Sequence, residues 1–241
     1  MLYVKQIDSF RLGNFINCTP TIKALAELKN RKIPVHFETE YVKQCFLDCP
    51  FIEHIGPQDH DPVFTSGMIC RENILPDYLY IYHRISREFP LPEMDHTYID
   101  RGLEVENPEK DYVLIMNGTG SQDPNYIFSK DPGIDVMTEL IEKLQAQGHK
   151  LVFTGSKEDY ERAKPWLNNV PAYYNNIRLS LRLISDANFV IANDTGLAHA
   201  AGAMNKRLYV LWKNTKFTKN MNPGIFTRYI FKDEWTAYEY N

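Results

Sequence analysis

No apolar run in these 241 residues approaches the roughly 20 needed to cross a bilayer. The opening Met-Leu-Tyr-Val-Lys-Gln-Ile reads as a strand rather than a signal peptide. Cysteine is scarce: Cys18, Cys45, Cys49 and Cys70 are the whole set, all in the first third. Cys45 and Cys49 are spaced C-x-x-x-C, yet no second Cys or His pair follows at a zinc-site interval. Free thiols in a reducing compartment follow, and the expected location is the cytoplasm. No G-x-G-x-x-G follows the first strand, and Gly118-Thr119-Gly120 lacks the third glycine, which argues against a dinucleotide-dependent oxidoreductase. Internal repeats and low-complexity segments are absent. Acid is missing from one long stretch: Lys206 to Lys232 holds seven basic residues and no Asp or Glu, with aromatics interleaved (Tyr209, Trp212, Phe217, Phe226, Tyr229, Phe231). Such a stretch suits a diphosphate, a nucleic-acid backbone or an anionic glycan, although most charge runs are solvated faces.

What remains is an ordinary globular composition, 44% hydrophobic and 24% charged, with a net charge of −4. The first half alternates a strand (Leu2 to Ile7), a loop through Gly13 and Asn14, and a helix starting near Thr19-Pro20, because Pro suits the first helical position. A strand (Val35 to Glu38), a helix (Tyr41 to Leu47) and a strand (Ile52 to Ile55) continue the pattern. Residues 57–105 lack a clean period apart from a helix over Tyr78 to Phe89. The polar run Val105 to Asp111 reads as a linker. Beyond it come a strand (Tyr112 to Met116), a helix through Val136 to Leu144 closed by Gly148, and a strand (Lys150 to Thr154). A helix (Leu179 to Ser185), a strand (Phe189 to Ala192), an Ala-rich helix and a last strand (Leu208 to Trp212) complete it. Strands alternating with helices predict an α/β fold with parallel sheets covered on both faces, whose ligands bind at the strands' carboxyl ends.

The segment Phe189-Val-Ile-Ala-Asn-Asp194-Thr-Gly-Leu-Ala-His199 is the most telling. A buried strand delivers Asn-Asp-Thr-Gly to the N-terminus of a helix whose first amides lack internal partners and whose dipole favours anions. Asp194 or Thr195 can cap that helix, Gly196 lets a ligand approach the backbone, and His199 projects near the same mouth. The plainer alternative is a capped helix carrying a packed core histidine.

Asn193-Asp-Thr-Gly-Leu-Ala-His199 followed by an Ala-rich helix resembles the signature of the heptosyltransferase-like (family 9-like) GT-B glycosyltransferases. The strand with Asn117 to Ser121, then Lys130, then the strand with Gly155-Ser-Lys-Glu158 fall in the family's order. Gly13-Asn14 and Thr19-Pro20 resemble its Gly-Asp…Thr-Pro element. The resemblance implies two Rossmann-like domains with parallel sheets facing a central cleft. Residues 1–105 would be a shortened N-terminal acceptor domain and 106–222 the nucleotide-sugar domain, with 223–241 crossing back onto the first. By position, Thr119 and Lys130 would contact the donor diphosphate, Glu158 the ribose, and Asp194, Thr195 and Gly196 the sugar and phosphates, with His199 nearby. No cofactor is implied beyond the nucleotide sugar, and no metal: Asp59-His60-Asp61 is a D-x-D triplet, but no apolar strand precedes it.

The expected reaction is inverting and metal-independent transfer of a sugar from a nucleoside diphosphate to an acceptor hydroxyl. The family's presumed base is the Asp of Gly-Asp, where this chain has Asn14, which cannot take a proton. Asp8, in the same loop, is the expected replacement. Arg11, Lys213, Lys216 and Lys219 would contact acceptor or phosphate. The acid-free stretch tilts the acceptor towards a hydroxylated base in DNA over a glycan or lipopolysaccharide. The competing reading is a non-catalytic module that binds a sugar nucleotide, which Asn14 keeps open.

Overall fold

Short apolar runs separated by amphipathic helices build two all-parallel sheets in the computed structural model, which describes residues 2–7, 12–67, 77–118, 125, 130–213 and 227–235. The chain divides into two compact units after Asp100.

In the first unit, β1 (Val4–Gln6), β2 (Ile33–Phe37), β3 (Ile52–Ile55) and β4 (Phe64–Thr65) lie in the order β3-β2-β1-β4. Helices α1 (Leu12–Lys29), α2 (Glu40–Gln44) and α3 (Asp77–Ser86) accompany them. Phe15 of α1 packs on Phe37 and Phe46 with ring centroids 4.9 Å from each, a desolvated aromatic centre. The helix expected from Thr19-Pro20 starts a full two turns earlier, so Gly13 and Asn14 are helical and Pro20 is interior. Proline has no N–H for the carbonyl four residues back, and the Thr19 hydroxyl supplies the missing donor, bonding Ile16 O at 2.7 Å. The same hydroxyl accepts from the Tyr98 amide at 2.8 Å. The proline is accommodated by its neighbour, which sequence punctuation cannot show.

The second unit carries β5 (Val113–Met116), β6 (Leu151–Gly155), β7 (Ala172–Tyr174), β8 (Phe189–Asn193), β9 (Leu208–Trp212) and β10 (Thr227–Phe231), in the order β10-β9-β8-β5-β6-β7. Helices α4 (Ile134–Ala146), α5 (Lys157–Ala163), α6 (Ile177–Asp186) and α7 (Gly196–Ala203) link them. Strand β8 is buried at every position, as its unbroken apolar run requires between two helical layers. Met137, Leu140, Ile141 and Leu144 form the buried stripe of α4 and join Phe153 and Ile191 in one core. Burying each such side chain contributes about 1.5–3 kcal/mol.

Two strands of this unit escaped the pattern. β7 has only three residues, and β10, with one fully buried side chain, sits at the sheet edge inside the basic stretch, where its alternation reads as polar surface. The last strand is therefore β10, not β9. Trp235 follows it into the same core and donates from Nε1 to Ile230 O at 3.0 Å. Residues 236–241, expected to cross back onto the first domain, lie outside the described residues. The polar stretch after Val105 is tied to the second unit: Asn107 donates to the Tyr112 hydroxyl at 3.0 Å and to Asp186 at 2.8 Å. Glu109 pairs with Lys150 at 2.7 Å and accepts from Tyr173 at 2.6 Å.

Candidate functional site

From β5 the chain runs outward through β6 and β7, then returns to lay β8 on the other flank of β5 and continues through β9 to β10. The crossovers leave β5 and β8 in opposite directions, which opens a crevice at their carboxyl ends. Met116 pairs with Ala192, so Asn117 and Asn193 leave the sheet side by side. The residues that follow build the site.

Helix α7 begins at Gly196, and its N-cap is Thr195 in extended backbone. The Thr195 hydroxyl makes no capping hydrogen bond. The Asp194 carboxylate is drawn away as well, to Lys130 Nζ at 2.6 Å. Neither side chain thus caps as expected, and the helix presents its first amides. Lys130 also donates to Asp194 O at 3.2 Å. The pair is three-quarters or more buried, with 19% and 23% of the two side chains exposed.

His199, one turn into α7, is buried, and its imidazole is lowered to about 4. Burial is the main cause; Lys130 pushes the same way and Asp194 opposes. It is a neutral ring near pH 7. Among the described residues its Nδ1 has no hydrogen-bond partner, and neither have Asn117 Oδ1 and Asn193 Oδ1.

The third side of the crevice is the end of β6. Ser156 and Asp159 form a capping box at α5: Asp159 N donates to Ser156 Oγ at 3.1 Å, and Ser156 N donates to Asp159 Oδ2 at 3.0 Å. A side chain at Gly118 would meet both Asp159 Oδ2 and Thr195 Oγ1 at 3.0 Å, so this glycine lets the three strand ends close on one another. Glu158 is exposed, and its own amide, with Ser156, holds its carboxyl below the ordinary value. Asp159 was not singled out in the sequence, because an acid beside Glu158 carries no separate signal. Asp131 was not singled out either, and Asn117 and Asn193 were read only as parts of the turns after their strands.

Lys130, Asp194, Thr195, Gly196 and His199 therefore come together in the second unit, with Glu158 at the neighbouring strand end. Lys213 is not directed at open space: its Nζ donates to the Asp131 carbonyl at 2.9 Å. Asn14 lies half-buried in the first turn of α1, where its carbonyl accepts from Cys18 Sγ at 3.3 Å. Asp8, Arg11, Thr119, Lys216 and Lys219 lie outside the described residues. Cys18, Cys45 and Cys49 are buried thiols outside any disulfide among the described residues. Among the described residues no three His, Cys, Asp or Glu side chains gather as a metal set, and no helix is long and apolar enough to cross a membrane.

The basic stretch looks different in three dimensions. Tyr209 and Trp212 are core residues of β9, not stacking platforms. Lys206 bonds Ser185 O at 3.0 Å and is lowered by burial, while Arg207 lies over the Phe189 and Tyr209 rings at 5.6 and 5.4 Å. The described aromatics and cations at the start of this stretch are spent on the fold.

Residues 84–224 match the model of glycosyltransferase family 9 (heptosyltransferase). No curated protein is a significant match by sequence. Among solved structures, a family 9 glycosyl transferase from Veillonella parvula aligns at TM-score 0.72 and 14% identity, over 98% of this chain and 87% of its own. The Escherichia coli heptosyltransferase WaaC with ADP aligns at 0.73 and 13%, over 95% and 92%. The E. coli ADP-heptose lipopolysaccharide heptosyltransferase II aligns at 0.68 and 14%, over 95% and 90%. At these identities the likeness is one of fold: GT-B-like, with two parallel α/β sheets.

Proposed function

This chain belongs to glycosyltransferase family 9 (heptosyltransferase), and from that premise we propose that it moves a sugar from a nucleoside diphosphate to a carbohydrate hydroxyl with inversion and without a metal. Sugar transfer itself comes with the family; the donor geometry, stereochemistry and acceptor are our reading.

The observation that carries it is the Lys130–Asp194 pair at the uncapped start of α7, beside the β5/β8 switch point. In the reaction the acceptor oxygen attacks the anomeric carbon as the bond from that carbon to the diphosphate oxygen breaks. Two negative groups need handling. The diphosphate gains charge, which the Lys130 ammonium and the first amides of α7 meet; one such donor supplies about 10²–10³ in rate. The attacking hydroxyl loses its proton, and we assign that proton to the Asp8 carboxylate, since Asn14 cannot accept it. Glu158, ionised and exposed at the end of β6, suits a ribose hydroxyl. Neutral His199 suits a hydrogen bond rather than an ion pair.

A carbohydrate acceptor is preferred to DNA because the described aromatics of β9 are buried and Lys206 and Lys213 are engaged with carbonyls. ADP is the first diphosphate to try, because the WaaC neighbour is in complex with it.

The test is a thermal-shift panel of ADP, GDP, UDP and CDP without added metal, on wild type and Lys130→Ala. One diphosphate should raise the melting temperature of wild type and lose that effect in the variant. No shift with any of them refutes the donor site. Binding without turnover on any glycan, in wild type as in Asp8→Asn, would favour the non-catalytic module.

A further inference from the structure

Lys130 is helical, and Asp131, which follows it, lies outside any helix or strand. Side chains from three strands that are neighbours in the sheet, β9, β8 and β5, hold the two residues. Lys213, next after β9, donates from Nζ to Asp131 O at 2.9 Å. Asn193, the last residue of β8, donates from Nδ2 to Lys130 O at 3.3 Å. Asn117, next after β5, donates from Nδ2 to Asp131 Oδ1 at 3.2 Å, and the same oxygen accepts from Gly133 N at 2.9 Å. Four hydrogen bonds therefore tether this dipeptide, and its Lys130 side chain then reaches Asp194.

The geometry points to Lys213 as a positioning residue: it sets Lys130 against the phosphate-binding end of α7 by holding the Asp131 carbonyl, and does not itself touch the donor. The inference rests on the donor reading of Lys130. It differs from the role that position in a basic stretch suggests, in which Lys213 offers its charge to an anion. The two roles make opposite demands. Holding a carbonyl needs an N–H donor of the right length and no charge; binding a phosphate needs the charge.

The experiment compares Lys213→Met, Lys213→Gln and Lys213→Arg with wild type and Lys130→Ala, measuring affinity for the diphosphate that shifts wild type, with the melting temperature without ligand as control. Met and Gln both lack the charge and have similar length, but only Gln can donate. Lys213→Met should bind about tenfold more weakly, the size of one lost charge-assisted hydrogen bond. Lys213→Arg should recover most of that loss, and Lys213→Gln, whose amide stands one bond short of the Lys213 ammonium, a part of it. The double variant Lys130→Ala/Lys213→Met should bind no worse than Lys130→Ala alone, because the second change acts only through the first.

Additive losses in the double variant would make Lys213 a direct phosphate contact and overturn the inference. Unchanged affinity in Lys213→Met would overturn it too, as would unfolding of Met, Gln and Arg variants alike, which would make the residue merely structural. A wild type that binds none of the four diphosphates refutes the donor reading itself, which separates that failure from an error about Lys213.

Discussion

Replacing Lys130 by Met removes one ammonium and keeps most of the side-chain volume. In the free protein its attraction to Asp194 at 2.6 Å is about 6 kcal/mol gross at an effective dielectric of about 20, and far less net of desolvation. A diphosphate must find an equal or better partner in the same ammonium. A charge-assisted hydrogen bond at a partly buried site is worth about 1.5–3 kcal/mol, so Lys130→Met should weaken diphosphate binding by about 10- to 150-fold. Titration calorimetry measures this directly. A second reporter comes from His199, whose imidazole Lys130 pushes down and Asp194 pushes up. Removing the lysine leaves the carboxylate acting alone, so the His199 pKa should climb from about 4, read by NMR through its ring resonances. Affinity within about threefold of wild type, together with an unmoved His199, would refute the reasoning, since the expected loss is at least tenfold.

His199 also makes stability depend on pH. Its folded value, about 4, lies below the ordinary 6.5, so the unfolded chain binds the extra proton first. The contribution is complete above pH 6.5 and drains away as pH falls towards 4, by about 3 kcal/mol in all. Urea midpoints should fall over that window in wild type and much less in His199→Gln; parallel slopes would contradict it. Thr19→Val removes the hydroxyl that serves both Ile16 O and Tyr98 N, and should cost about 2–4 kcal/mol by urea denaturation. A loss under about 0.5 kcal/mol, the ordinary range of a surface change, would show that Pro20 is accommodated otherwise. Gly102→Ala should cost at least about 2 kcal/mol in a thermal melt, because the residue sits at φ +62° and a methyl group would overlap Arg178 O. A neutral substitution there would mean that the backbone relaxes.

Much of the second unit was legible because β5, β6, β8 and β9 are apolar runs bounded by small or polar residues, and α4 repeats its stripe at helical spacing. The Asn-Asp-Thr-Gly turn was readable because strand, glycine and Ala-rich helix adjoin in the chain. What stayed hidden depends on neighbours distant in sequence. Pro20 looks like a helix start until the Thr19 hydroxyl is seen on Ile16 O. Lys213 looks like a solvated cation until Asp131, 82 positions away, is seen to accept from it. The basic stretch conceals β10, since its aromatics are equally suited to a core and to stacking on a base.

Charges at the crevice are matched in kind. Lys130 meets Asp194, Arg162 meets Asp159, Lys213 lies on the backbone of Asp131, and His199 is uncharged near pH 7. With the side chain of Asp131 and the exposed Glu158 counted, the described groups here sum to −1, so together they exert no long-range attraction on an anion. On the proposed donor reading, a nucleoside diphosphate is recognised on contact, when it takes Lys130 from Asp194. Association should therefore proceed at an ordinary rate that ionic strength hardly alters, and discrimination among diphosphates should lie in how long each stays. On the same reading, the Asp194 carboxylate is released to a sugar hydroxyl once a phosphate occupies Lys130, which puts recognition of the sugar after that of the diphosphate.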